Sequence, residues 1–140
     1  MKISTRGRYG TRLLLDLAIN YGNGPTLLKN IAERQDISMK YLSQLIMPLK
    51  VAGLIVGTKG AHGGYYLAKA PEDIKLCEVL CAMEGSLYPT ECVENPDICE
   101  RSKDCATFEV WKKIGDNCTK LLESISLKEL VTIHNKKSSN

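Results

Sequence analysis

Aromatic side chains are scarce in this 140-residue sequence, which has one Trp and one Phe. Any core must therefore be aliphatic. No run of eighteen apolar residues occurs, which excludes a membrane-spanning helix. The opening Met1-Lys2-Ile3-Ser4-Thr5-Arg6 has no apolar segment behind it, so no secretory signal is read and a cytoplasmic protein is expected. A catalytic His, a phosphate-binding loop and an acid/base pair are all missing, which argues against an enzyme. Six cysteines without a signal peptide do not make a disulfide framework. In a reducing compartment they point to metal binding, redox sensing or burial.

What is present is unevenly charged. Residues 1–70 carry ten Lys/Arg against three Asp/Glu, whereas residues 71–140 carry nine against thirteen. A basic half joined to an acidic half fits a polyanion-binding module followed by a sensing or pairing module.

The basic half reads as three helices and a hairpin. Ser4 or Thr5 caps a first helix carrying Leu13, Leu14, Leu17, Ala18 and Tyr21 at helical spacing, and Gly22-Asn23-Gly24-Pro25 ends it. Thr26 is expected to cap a second, short helix. Ser38 caps a third from Met39 to about Ala52, with Pro48 inside it and Gly53 closing it. Two β-rich stretches, Leu54–Thr58 and Gly64–Ala68, flank a glycine-rich turn and predict a hairpin. A fourth helix is expected over Leu76–Glu84, a loop over 85–105, and a long helix from about Thr107 to Ser124. A short last helix opens at the Ser126/Glu129 capping box, with a disordered tail at 136–140. The fold class is mostly α with a small β-hairpin, a winged helix-turn-helix domain plus a long dimerisation helix. Its units are 1–84, 85–105, 106–135 and the tail.

Such a tri-helical core presents its third helix to the major groove of double-stranded DNA. Ser38, Lys40, Tyr41, Ser43 and Gln44 cluster in the first two turns of that helix. Gln44 suits an adenine edge and Ser43 can donate or accept. Lys40 and Tyr41 suit phosphate oxygens. Lys59 beside Gly60 at the hairpin tip suits a narrow minor groove. Trp111, Ile114, Cys118, Leu121 and Ile125 form a heptad a/d seam, which predicts a homodimer.

Cys92, Cys99 and Cys105 lie in the polar loop, with six and five residues between neighbours. Three soft thiolates on one segment can converge on one metal centre. The loop lacks the closely spaced Cys pairs that structural zinc favours, so an iron–sulfur cluster is the better reading. Cys77 and Cys81 stand at i, i+4 on the fourth helix and read as small buried apolar residues before they read as ligands.

The stretches Lys2–Gly10, Ile37–Leu45 and Ala52–Leu67 (Ala-Gly-Leu-Ile-Val-Gly-Thr-Lys-Gly-Ala-His-Gly-Gly-Tyr-Tyr-Leu) resemble the iron–sulfur cluster regulator (IscR) family of winged-helix transcription factors. The resemblance runs to about residue 131. It implies a dimeric regulator with DNA contacts at Lys40, Tyr41, Ser43, Gln44 and Lys59. It also implies an iron–sulfur cluster on the three loop cysteines, 2Fe-2S before 4Fe-4S, and control of cluster-biogenesis genes. Ser43 stands where cluster-assembly regulators often carry an acidic residue that tunes operator choice. Phe108 stands where some carry a ligating His, and Arg8 where other relatives carry an acidic ligand. Glu109, another residue near the loop or an exogenous ligand is left to complete the coordination. A cluster-free regulator of the same fold, responding to thiol oxidation or a partner protein, is the alternative.

Overall fold

A computed structural model describes residues 1–140. Helix α1 spans Thr5–Ile19, α2 Leu28–Gln35 and α3 Met39–Val51; strands β1 (Ile55–Thr58) and β2 (Gly64–Leu67) follow. The chain continues through a 3-10 turn at Pro71–Asp73 to α4 (Leu76–Glu84), the short α5 (Glu91–Glu94), the long α6 (Ala106–Ser124) and α7 (Leu127–Ser138). The winged helix-turn-helix order expected from the sequence is the one observed.

Local chemistry sets the helix ends. The Ser4 hydroxyl accepts from the Gly7 N–H at 3.0 Å, and Ser38 does the same for Tyr41 at 3.1 Å, each satisfying an orphan donor of a first turn. Thr26 does not cap α2: Leu27 holds that position, without a side-chain cap bond. Thr26 instead exchanges both backbone hydrogen bonds with Tyr65 at 2.8 Å, adding one residue of sheet beside β2. Extended pairing fixes its backbone and takes it out of the cap.

The hairpin is antiparallel, with Ile55 opposite Leu67 and Thr58 opposite Gly64. The core is aliphatic, as the shortage of aromatics requires. Leu13, Leu14, Leu17, Ile31, Leu42, Leu45, Leu49, Leu54, Ile74 and Val79 are buried together. Burying each such side chain contributes about 1.5–3 kcal/mol before entropy is counted.

Two expectations for the second half need correction. The tail expected at 136–140 is helical as far as Ser138, with Lys136 and Lys137 in the last turn, where cations suit the helix dipole. The short C-terminal helix, expected to share the unit 106–135 with the dimerisation helix, docks on the winged domain. Leu127 is fully buried in the common core, and α7 packs against α1. Two backbone bonds fix this return, from the Leu76 N–H to the Ile125 carbonyl and from the Leu127 N–H to the Ile74 carbonyl, both 2.9 Å. Ile125 therefore lies beyond the end of α6 in extended conformation, and the seam within the helix is Trp111, Ile114, Cys118 and Leu121.

Candidate nucleic-acid interface and cysteine loop

The exposed edge of α3 carries Ser38, Lys40, Ser43 and Gln44, all open to solvent. Leu42, Leu45, Ile46 and Leu49 are buried on the opposite side, so helical periodicity alone turns the polar residues outward. Two of the polar hydroxyls are already engaged. Ser38 caps the helix, and Ser43 donates to the Lys40 carbonyl at 2.7 Å. Tyr41 is half-buried and meets Tyr9 of α1 edge-on, with ring centroids 5.4 Å apart. It packs α3 on α1, and its apolar body is not part of the open face.

Lys59 and Gly60 sit at the wing tip, both exposed, and Gly60 has a φ of 106°, which a side chain would strain. Between the wing, α2 and the start of α3 runs a groove lined by Leu27, Lys29, Met39, Lys50, Thr58 and Lys59. Three ammonium groups around one groove make a ready seat for a phosphate backbone. Lys29 and Lys50 join the interface beyond the residues that the sequence points to. Their signal was spacing: each is an exposed Lys on an element flanking the hairpin.

The cysteine loop is more structured than expected. Residues 85–105 contain α5 and a 3-10 turn at Pro96–Ile98, with Pro96 supplying the fixed φ that opens the turn. Cys92, Cys99 and Cys105 are all reduced and half-buried. They are not gathered: no three His, Cys, Asp or Glu side chains stand close enough to hold a metal ion. Cys92 lies 3.3 Å from the Thr90 hydroxyl, and Cys105 lies 3.2 Å from that of Thr107. The Thr107 hydroxyl, with the Phe108 N–H of the first turn of α6, holds the Cys105 thiol below its ordinary range. Between Cys99 and Cys105, the buried Ser102 hydroxyl has no hydrogen-bond partner.

Tyr88 fixes the loop to α6. Its ring lies against Gly115, the only buried residue of that helix, and its hydroxyl donates to Asp116 at 2.9 Å. Lys112 completes the set, 2.9 Å from the other Asp116 oxygen. The Lys112 ammonium, then the Tyr88 hydroxyl, hold the Asp116 carboxyl below its usual range. No sequence signal marked Tyr88, because a lone tyrosine in a loop has no periodicity to read.

Cys77 and Cys81 of α4 have sulfurs 3.9 Å apart. Burial, then the neighbouring Cys81 sulfur, pushes the Cys77 thiol up to about 11. The sequence favoured burial of both, yet Cys81 is exposed.

The family model described as Rrf2, iron-dependent transcriptional regulator, matches residues 3–133. The chain belongs to the Rrf2 family. As an Rrf2-family protein it is a DNA-binding transcriptional regulator and not an enzyme. It is 44% identical to protein rrf2 of Nitratidesulfovibrio vulgaris over 131 residues, 94% of this chain and 87% of that one. Among solved structures it resembles CymR of B. subtilis, titled its global cysteine regulator, with TM-score 0.78 and 38% identity over 95% of this chain and 98% of the other. It resembles IscR of T. potens equally well, with TM-score 0.78 and 39% identity over 96% and 88% of the two chains. This Rrf2 chain has no helix long and apolar enough to cross a membrane.

Proposed function

We propose that this Rrf2 protein works as a homodimer that reads two operator half-sites and reports iron–sulfur, redox or nitric-oxide status through a cluster held by Cys92, Cys99 and Cys105. Genes for cluster biogenesis are the proposed targets. The observation that carries the reading is the attachment of the cysteine loop to α6 through Tyr88, Gly115 and Asp116. A ligand that reorganises the loop acts directly on the helix proposed to pair the subunits. Only a ligand that binds the two arrangements unequally shifts their balance.

The residues fit such a group by donor chemistry. Three free thiols share one segment, and Cys105 is already biased toward thiolate. The partnerless Ser102 hydroxyl offers a buried donor inside the same segment, suited to a sulfide acceptor. Holding the cluster requires the loop to draw its thiols together from the separated arrangement described above. The bound cluster would supply the redox and nitric-oxide chemistry; the chain supplies thiolate anchors and the mechanical link to α6. On the DNA side, Ser38, Lys40, Ser43 and Gln44 face the major groove, Tyr41 holds α3 in place, and Lys59 with Gly60 follows the backbone.

The separation of the three thiols favours a second reading, a cluster-free regulator that responds through thiol oxidation or a partner protein. The likeness to a structure titled as a cysteine regulator points the same way. A visible spectrum of anaerobically purified protein separates the two. The first reading expects a chromophore that Cys92→Ala, Cys99→Ala or Cys105→Ala each removes and Cys118→Ala keeps. Colourless, iron-free protein with full operator affinity sinks it and leaves the second.

A further inference from the structure

We propose that Cys77 and Cys81 form a second metal site, a two-thiolate seat for a soft divalent ion of the zinc class, separate from the loop cysteines. The geometry is already built. Two thiolates each about 2.3 Å from a tetrahedral ion stand roughly 3.8 Å apart, and these sulfurs are 3.9 Å apart without any rearrangement. The three-residue gap between them is a usual spacing for a metal-binding cysteine pair. Neither sulfur has any other hydrogen-bond partner in the protein. Exposure of Cys81 gives an ion a path from solvent.

The surroundings suit a cation. Glu78 of α4 and Glu123, in the last turn of α6, both act on Cys77 by their charge. Glu78 is committed, bonding Lys69 and the Lys75 N–H. Glu123 makes none of the protein's salt bridges; no third side chain of the protein stands close enough to ligate, so water or an outside donor completes the coordination. Binding an ion there releases the thiol protons. The pair lies on α4, which packs against α1 of the winged domain and against the long α6. The seat therefore lies where an ion can stiffen the joint between the domain that reads DNA and the helix proposed to pair subunits.

The test uses Cd(II), a spectroscopic stand-in for zinc, on the full-length chain with Cys92, Cys99, Cys105 and Cys118 replaced by Ser. One ion per chain is expected, with a thiolate-to-cadmium charge-transfer band that Cys77→Ser or Cys81→Ser removes. A band that is absent, or that survives Cys81→Ser, overturns the site. The same question is put to the unsubstituted protein by mass spectrometry after iodoacetamide treatment. At a pH high enough to alkylate both thiols in the metal-free protein, Cd(II) should protect Cys77 and Cys81 together, and alkylation of that peptide unchanged by the metal overturns the proposal even where the multiple variant does not fold.

Discussion

The ring of Tyr88 fills the space that a side chain on Gly115 would need. This contact sets two effects in opposition at one position. Gly115 lies in mid-helix, so Gly115→Ala should raise stability by about 0.5–1 kcal/mol through helix propensity alone. Overpacking against Tyr88 should cost about 1–3 kcal/mol. The expected result in urea unfolding is a neutral or destabilised Ala variant and a clearly destabilised Val variant. Both should show faster limited proteolysis within residues 85–105. A gain of about 1 kcal/mol for Ala, with the loop equally resistant, would mean that Tyr88 does not hold the loop.

Asp16 is buried, 2% exposed, and accepts from Arg34 at 2.7 and 3.0 Å and from Gln35 at 3.2 Å. The partners are not equivalent, because the Arg34 side chain is 45% exposed. Removing Arg34 leaves a buried carboxylate with one neutral donor, whereas removing Asp16 frees a guanidinium that water can reach. Arg34→Leu should therefore cost about 3 kcal/mol, and Asp16→Asn less, about 1–2 kcal/mol. Equal losses in chemical denaturation would show that the burial of Asp16 does not set the cost.

The basic half was legible because its elements obey local rules. Ser38, the leucines of α3 and the Gly-flanked hairpin each announce themselves by spacing, and the third helix and wing stand where the sequence placed them. What escaped were contacts between distant residues. Thr26 looks like a cap until Tyr65, thirty-nine positions later in the chain, takes its backbone. Ile125 fits the heptad by count, but its carbonyl is claimed by Leu76. Tyr41 reads as a surface residue, and its half-buried ring also meets Tyr9 edge-on. Polar residues around Cys92–Cys105 suggested an unstructured loop, because nothing local encodes the packing of Tyr88 on Gly115. Residue type gave the thiols as donors; their separation is a tertiary fact.

The two faces of the DNA interface should separate experimentally. Lys59→Ala should weaken binding to all sequences alike and reduce the slope of log affinity against log salt by roughly one. Gln44→Ala should instead relax preference at one base position per half-site, at a cost of about 1–3 kcal/mol. Selection from random DNA and salt titration read the two effects independently. An unchanged salt slope would remove Lys59 from the phosphate path, and an unchanged selected site would remove Gln44 from the readers.

Thiol reactivity in metal-free protein should follow the shifts. Cys105 lies below its ordinary range through the Thr107 hydroxyl and the Phe108 N–H, so it holds more thiolate near neutral pH. Cys77, pushed up to about 11, stays protonated until strongly alkaline solution. The thiolate is the nucleophile. Iodoacetamide near neutral pH should label Cys105 early and Cys77 last, and raising the pH should speed Cys77 far more than Cys105. Peptide mapping over time checks the order, and a faster Cys77 would contradict both environments.

Within one chain, α6 buries Gly115 alone, while Val110 is 50% exposed and Leu121 60% exposed. An amphipathic helix with its apolar positions this open is stabilised chiefly by tertiary packing, so a second copy is the natural cover. Ile114→Glu with Leu121→Glu places like charges opposite each other across such a seam, where desolvation makes them costly. Neither residue belongs to the buried core, so the winged domain should keep its fold. Sedimentation should show a monomer, and operator affinity should fall by about a hundredfold or more as the link between two half-site contacts is lost. Binding to a single half-site should be nearly unchanged, which separates lost pairing from lost folding. An intact dimer in this variant would move the interface off α6 and detach the cysteine loop from the pairing of the two DNA-reading units.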